Sequence, residues 1–418
     1  MQKNDKTHAG AVSKGIAFFN RQPRDWKITV FRSSLARFLN QMIFPYQSIY
    51  TVALGATAIQ LGIVNSIGMF TAGVLSPLVG WLIDRIGIKR IYLIGIGFLG
   101  VSYFVYGVAA SWTIIIIAMA AFWLGETISG HSCATVCGNS LASADRATAM
   151  TLCETLAAGL LSILGPMLGA LLVARFGGVN IAGIRPLFFL ALAGTVISFG
   201  LIYFKLSQRN WAAQSMSHCG FFKDMAVVLR EGRHLKRWLV IVSVGSLPLG
   251  MVFPFSQVFA HEVKGADSYI LGFMVTGCAL TSLLLGIPMG RLADRIGRKK
   301  VLYLTLPLFW ASNLILIWAP GPGFLIAAGI FQGFYYICAT IAGAMSFELV
   351  PPEQMGRWIG FMRLCRMLLG SVTAFIAGII WDTLGPEYVF LTVMGLDVII
   401  RLPLLIGMPE TLSRVSRR

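Results

Sequence analysis

Apolar residues run along this chain in windows of about 20, separated by short polar hinges. They neither alternate with polar residues, as in a half-buried strand, nor keep to one face of a helix. A helix of that length crosses the roughly 30 Å hydrocarbon core of a bilayer. Twelve spans are expected, near residues 28–53, 60–82, 90–109, 112–138, 148–174, 186–205, 238–260, 269–291, 301–319, 322–348, 357–381 and 387–407. A membrane barrel needs alternating segments of about ten residues, and the continuous run from Ile114 to Trp123 does not alternate. The expected fold class is an all-α integral membrane protein.

The polar hinges repeat. Gly80-Trp-Leu-Ile-Asp84-Arg85-Ile-Gly87-Ile-Lys89-Arg90 returns 210 positions later as Gly290-Arg-Leu-Ala-Asp294-Arg295-Ile-Gly297-Arg298-Lys299-Lys300, with seven of eleven residues identical. A second pair of loops, Leu141 to Arg146 and Leu349 to Gln354, stands at an offset of 208. Two loops at nearly one spacing imply two homologous six-helix halves. The expected layout is an N-terminal tail (1–27), a first six-helix bundle (28–206), a central loop (207–237), a second bundle (238–407) and a C-terminal tail (408–418). In the central loop Phe222, Met225, Ala226 and Leu229 follow helical spacing among basic residues. That pattern fits either a helix lying in the membrane interface or a basic linker.

Composition agrees with the pattern. Apolar residues make up 56% of the chain and charged ones 12%, against about 25% charged in soluble domains, and the mean hydropathy is +0.76. The net charge of +17 raises the question of nucleic acid, but 26 of the 34 Lys and Arg residues fall in the tails and the hinges of one face. Only Arg175, Arg185 and Lys264 fall on the other. This is a positive-inside bias, so both termini are expected in the cytoplasm of a cell with this protein in its plasma (inner) membrane. Charge so placed reports topology rather than nucleic-acid binding. The first apolar run is too long for a signal-peptide core, and seven cysteines, six of them in expected spans, imply no disulfide framework.

With both motif copies in matching hinges, the chain resembles the major facilitator superfamily. The family signature is a Gly, an Asp four residues later, a basic residue, and then a Gly followed by basic residues. Ile88 departs from it, where a basic residue is usual. The resemblance implies two pseudo-symmetric six-helix bundles with spans one, four, seven and ten lining a cavity. It implies a latch made of Gly80, Asp84, Arg85, Gly87, Lys89, Arg90, Gly290, Asp294, Arg295, Gly297 and Arg298, with Asp84 facing the start of span eleven and Asp294 that of span five. Simple charge anchoring of the topology is the other reading of these residues. Gly80 and Gly290 are expected to permit close helix approach. Gly165-Pro166-Met-Leu-Gly169-Ala170 resembles a motif of proton-linked exporters, while Pro409-Glu410-Thr411 resembles the ending of sugar importers, so direction stays open.

Ionisable groups at bilayer depth are costly and mark function. Arg37, Asn40 and Gln41 form a polar stripe on span one, and Arg37 reads as either a substrate contact or a structural ion pair. Glu126 in span four is the first candidate for a coupling proton site, because a carboxylate held there disfavours its charged form. His131 is the second, although a hydrogen bond to a neighbour explains it as well. Glu154 stands 209 positions before Arg363, and Arg366 extends the positive face; these three form either a gate or anion site, or a pair across the halves. Gln257, Gln332, Tyr335 and Tyr336 are expected to line the second half of the cavity. Asp397 and Arg401, four residues apart, read as a scaffold salt bridge outside the site.

No Walker loop or hydrolase motif is present, so neither ATP nor catalysis is expected, and no cofactor. The expected function is secondary active transport of a small organic solute by alternating access, coupled to protons. Buried arginines lean toward an anionic or amphiphilic solute. The alternative is a receptor or lipid scramblase of the same fold without ion coupling. The expected partners are solute, protons and bilayer, with the chain acting as a monomer.

Overall fold

The computed structural model describes residues 21–140, 160–207, 234–350 and 355–411. Among these residues the chain forms twelve helical spans and no strand. The first half contains α1 (Arg24–Ala53), α2 (Ala58–Ile86), α3 (Ile88–Val108), α4 (Trp112–Ser140), α5 (Leu160–Arg175) and α6 (Ile181–Lys205). The second contains α7 (Leu235–Val263), α8 (Ser268–Ile296), α9 (Arg298–Trp318), α10 (Pro322–Leu349), α11 (Met355–Thr383) and α12 (Pro386–Ile406). Ten of the twelve are long and apolar enough to cross a bilayer, and the apolar part of α5 is shorter. The exception, α1, carries Arg32, Arg37, Asn40, Gln41 and Gln47. Glu154, most of the central loop, both tail ends and the side chains of Gly80, Asp84 and Arg85 lie outside the described residues.

Three spans are interrupted. Pro248 and Pro254 lack a backbone N–H, and α7 accordingly runs as short helices ending in a π turn, Phe259–Val263. The long α10 breaks at Gly333. A second π turn, Asp397–Arg401, sits within α12; such turns often accompany functional sites.

Within the first half α4 packs on α2 and α3, while α6 packs on α1 and α3. Within the second, α10 packs on α8 and α9, and α7 on α11. The halves meet along two seams, α2 against α11 and α5 against α8. Both seams rely on small residues. A Cβ on Gly62 would stand 2.5 Å from the Ala374 carbonyl oxygen, and one on Gly272 would stand 2.9 Å from that of Pro166. Without side chains in the way, backbones approach and dispersion contacts accumulate, which is how helices associate where water gives no driving force. The exporter-like Gly165-Pro166-Met-Leu-Gly169-Ala170 run lies at this junction: its glycines receive α1, and Ala170 receives Gly272 of α8.

One face of the bundle bears the chain's described hinges at Gly87 and Gly297 and is rich in Lys and Arg; it is called the basic face below. Among the described residues, most hydrogen bonds between halves lie toward the opposite, far face. Tyr46 donates to the Ser268 carbonyl at 2.9 Å, the Ile59 N–H to Asp382 at 3.1 Å, and the Ser66 and Ser371 hydroxyls pair at 2.9 Å. Thr276 donates to the Ile163 carbonyl at 3.4 Å. Toward the basic face, Val74 and Leu78 of α2 are exposed. The described contacts across the seam are therefore concentrated toward the far face. A Cβ on Gly290 would meet nothing within 4 Å among the described residues, and the part of span five that precedes Leu160 lies outside them.

The repeated hinge has one geometry in both halves. Gly87 takes φ 93° and ψ 146°, and Gly297 takes φ 111° and ψ 141°. Side chains rarely adopt that left-handed φ, so glycine recurs there. Two residues on, Lys89 donates to the Leu206 carbonyl at 2.8 Å, and Lys299 donates to the Ile406 and Met408 carbonyls at 2.7 and 2.8 Å. Each lysine thus caps the last helix of its own half, where carbonyls have no intrahelical partner. The Glu410 carboxylate accepts from the Arg298 N–H at 3.0 Å, capping α9. The Pro-Glu-Thr ending is in this respect a helix cap.

Candidate functional site

The polar stripe of α1 splits between two roles. Gln47 donates to the Tyr106 hydroxyl at 2.9 Å and belongs to the interior of the first half. Arg37, thirteen residues into the helix, is exposed, and its charge acts on Tyr336 of α10 across the halves. Tyr336 is itself 42% exposed and packs against Phe253, whose ring centroid is 5.7 Å away. Both therefore line the cleft between the halves. Asn40 and Gln41 are half-buried on the same helix. An aromatic group closes the far side of the second-half wall: Phe44 meets Phe253 at 6.4 Å, and Phe253 meets Tyr335 at 5.0 Å.

Glu126 lies fourteen residues from either end of α4, at mid-span. Its carboxylate acts electrostatically on Arg32 of α1 and on Arg363 of α11. Neither guanidinium is in ion-pair contact with it. Arg363 instead donates to the neighbouring Thr127 hydroxyl at 3.4 Å, and also feels the charge of Arg366. One carboxylate is thus in electrostatic range of an arginine of its own half and an arginine of the other. Sequence reasoning missed Arg32, which is 5% exposed, bonded to the Tyr92 hydroxyl at 3.4 Å and set 5.0 Å from that ring's centre. Tyr92 is 60 residues away, and no local spacing announces the pair. His131 reaches the Ser76 hydroxyl of α2 at 3.3 Å, so the neighbour hydrogen bond is realised. Cys133 contacts Ser33 at 3.2 Å.

A second polar group lies in the other half. Asp397, 1% exposed, accepts from the Trp310 indole N–H at 3.0 Å and pairs with Arg401 at 3.5 Å. The expected local salt bridge is therefore present. Arg401 also lines a pocket with Arg366, Tyr335, Cys338, Ser346 and Gly245. The bare Cα of Gly245, at the break in α7, gives the Arg401 guanidinium its space: a Cβ there would stand 2.7 Å from it. Gln257 and Gln332 are buried, at 2% and 5% exposure, and the Gln257 side-chain oxygen has no hydrogen-bond partner.

Of the latch residues in the second half, Asp294 and Arg298 interact with each other at 3.4 Å, and Arg298 pairs with Glu348 of α10 at 2.9 Å. These described contacts stay within one half, as do those of Lys89 and Lys299. Arg90 and Arg295 are exposed on the basic face.

Two six-helix bundles joined along two glycine-lined seams, with charged groups at mid-span between them, define an integral membrane transporter of the two-bundle type. The chain belongs to the Major Facilitator Superfamily, whose description it matches over residues 29–270 and again over 238–416. It is 26% identical to the Multidrug resistance protein MdtG of Escherichia coli O9:H4 (strain HS) over 316 residues, which cover 71% of this chain and 73% of that one. The namesake from Salmonella typhi is also 26% identical, over 312 residues covering 71% and 73%. Among solved structures, the nucleoside transporter NupG superposes with a TM-score of 0.75 at 13% identity, covering 93% of this chain and 100% of that one. A POT family transporter in complex with 5-aminolevulinic acid gives 0.74 at 12%, covering 93% and 98%. At such identities the structures speak for the fold alone.

Proposed function

We propose that this protein is a proton-driven exporter of small organic solutes working by alternating access. The observation that carries the reading is that Arg363 reaches across the halves to Thr127, the neighbour of Glu126, at 3.4 Å, with Glu126 at mid-span in electrostatic range of both Arg363 and Arg32. Charged, the carboxylate attracts both guanidinium groups; protonated, it attracts neither. A proton taken or lost at mid-span thus changes the balance of charge across the moving seam, which is what coupling requires. His131, beside Ser76 and within reach of the Arg363 charge, supports that site. Glu154 is kept as a candidate partner of Arg363.

The basic face is proposed to be cytoplasmic and the conformation inward-facing, a reading supported by the hydrogen bonds between halves toward the far face. Arg37, Asn40, Gln41, Gln257, Gln332, Tyr335, Tyr336, Arg363 and Arg366 are proposed to contact solute. Export is favoured by the likeness to multidrug resistance proteins, and a mixed aromatic and cationic lining suits amphiphilic solutes. Asp84 and Asp294 are proposed to latch the basic face when the cleft turns outward, with the protein acting as a monomer in the inner membrane.

The test is proton flux in proteoliposomes. A solute gradient across liposomes holding the purified protein should drive proton movement, and Glu126→Gln should abolish it while solute exchange persists. A protein that binds or scrambles without moving protons would refute the coupling and leave the receptor or scramblase reading.

A further inference from the structure

The second-half pocket contains more positive charge than the fold uses. Asp397 serves Trp310 and Arg401 through one oxygen, while its other oxygen has no hydrogen-bond partner. Arg366 has no carboxylate within ion-pair distance among the described residues. The Nε atoms of Arg366 and Arg401 are buried without partners. So is the hydroxyl of Tyr335, 5% exposed and beside both charges. The other polar groups lining the pocket are already engaged: Cys338 donates to Thr305 at 3.0 Å, and Ser346 donates to Ala342 and accepts from Trp238 at 2.8 Å. What remains without a partner is the Nε of each guanidinium and the phenol, with one oxygen of the single carboxylate.

Buried donors without acceptors cost free energy unless a ligand meets them, and a lone buried cation costs more. We propose that this pocket is the subsite for the acidic head of an amphiphilic organic solute, a carboxylate, sulfonate or phosphonate held by Arg366 and Arg401 with Tyr335 donating. The cavity is about 50 Å³. That is room for a head group but not for a drug-sized molecule, which occupies roughly 300–1,000 Å³. Met362, Ala339 and Gly343 share its lining, on α11 and α10. The body of the solute lies in the cleft, against Tyr336 and Phe253. Planar guanidinium groups match such heads in geometry as well as charge. The assignment rests on the reading of the chain as an organic-solute transporter, and it sharpens that reading by adding Arg401, which the sequence marked only as half of a scaffold salt bridge.

The experiment measures binding of three probes with one aromatic body to the full-length protein in phosphatidylcholine nanodiscs: 2-naphthoate, its methyl ester and 2-naphthylmethylammonium. The acid should bind about tenfold or more tightly than the ester, the usual worth of one charged hydrogen bond. Arg366→Gln should erase most of that preference and Arg366→Lys should restore part of it. Tyr335→Phe, which keeps the ring packing, should weaken the acid a few-fold and leave the ester alone. An acid that binds no better than its ester, or a preference that survives Arg366→Gln, overturns the proposal. Displacement by phosphatidylglycerol with no affinity for the acid overturns it too, in favour of a lipid head group. Binding is read without a proton gradient. Loss of acid preference beside intact proton-coupled movement of the ester therefore sinks this subsite alone, and intact preference without proton flux sinks the coupling alone.

Discussion

Two buried carboxylates, one in each half, are held in opposite ways. Asp397 is locked within its own half by Trp310 and Arg401 at 3.0 and 3.5 Å and is 1% exposed. Glu126 is half-buried, touches no cation, and divides its attraction between Arg32 and an arginine of the other half. A charge whose partners sit on one rigid bundle stabilises that bundle in every conformation. A charge whose partners sit on bundles that move apart reports the movement, and a proton on it biases the movement in return. The difference separates a structural ion pair from a working one, although both look alike as membrane carboxylates in the sequence.

That contrast can be broken most sharply at Glu126 itself. Glu126→Gln is expected to reduce proton-coupled flux by roughly a hundredfold, as loss of a general acid–base group does, with almost no change in thermal stability of the purified protein. A large drop in stability would place it with Asp397 instead. Asp397→Asn should do the reverse, destabilising by about 3 kcal/mol or more because it strands the Arg401 guanidinium in the interior. Removing both charges, as Asp397→Asn with Arg401→Gln, should recover much of that loss in the same melting experiment.

A smaller effect is expected at the hinges. Gly297→Ala forces a side chain into a left-handed backbone beside Glu410 and should cost about 1–2 kcal/mol. Gly290→Ala, whose Cβ meets nothing within 4 Å among the described residues, should be nearly silent in stability; unequal effects in a melting series confirm that the two motif glycines have different work. The smallest effect concerns the motif's departure. At the position equivalent to Arg298 the first half has Ile88, buried at 4% in its apolar core, while Arg298 pairs with Glu348. Glu348→Gln should cost about 1 kcal/mol or less, since Arg298 keeps Asp294. A cost several times larger would mean that the pair anchors the second half in a way the first half lacks.

Much of this was legible beforehand. Span number and position follow from the length of apolar runs, because the bilayer thickness sets the length of a helix that can cross it. The repeat was legible because both hinges need the same left-handed glycine and the same lysine reach to a helix end. Glu126, Arg37 and Arg363 stood out because charge at bilayer depth is rare. What each charge does was not legible. Arg32 depends on Tyr92, Arg401 on the bare backbone of Gly245, and Arg363 on Thr127, all remote in sequence.

The sequence by itself thus determined the membrane, the two halves, the basic face and the short list of membrane charges, since these rest on local composition and period. Only the tertiary structure decided which carboxylate is fixed and which is shared, where the seam is closed, and that two arginines meet in one pocket. Those depend on distances between helices, and a linear chain carries no distance between helices until they pack.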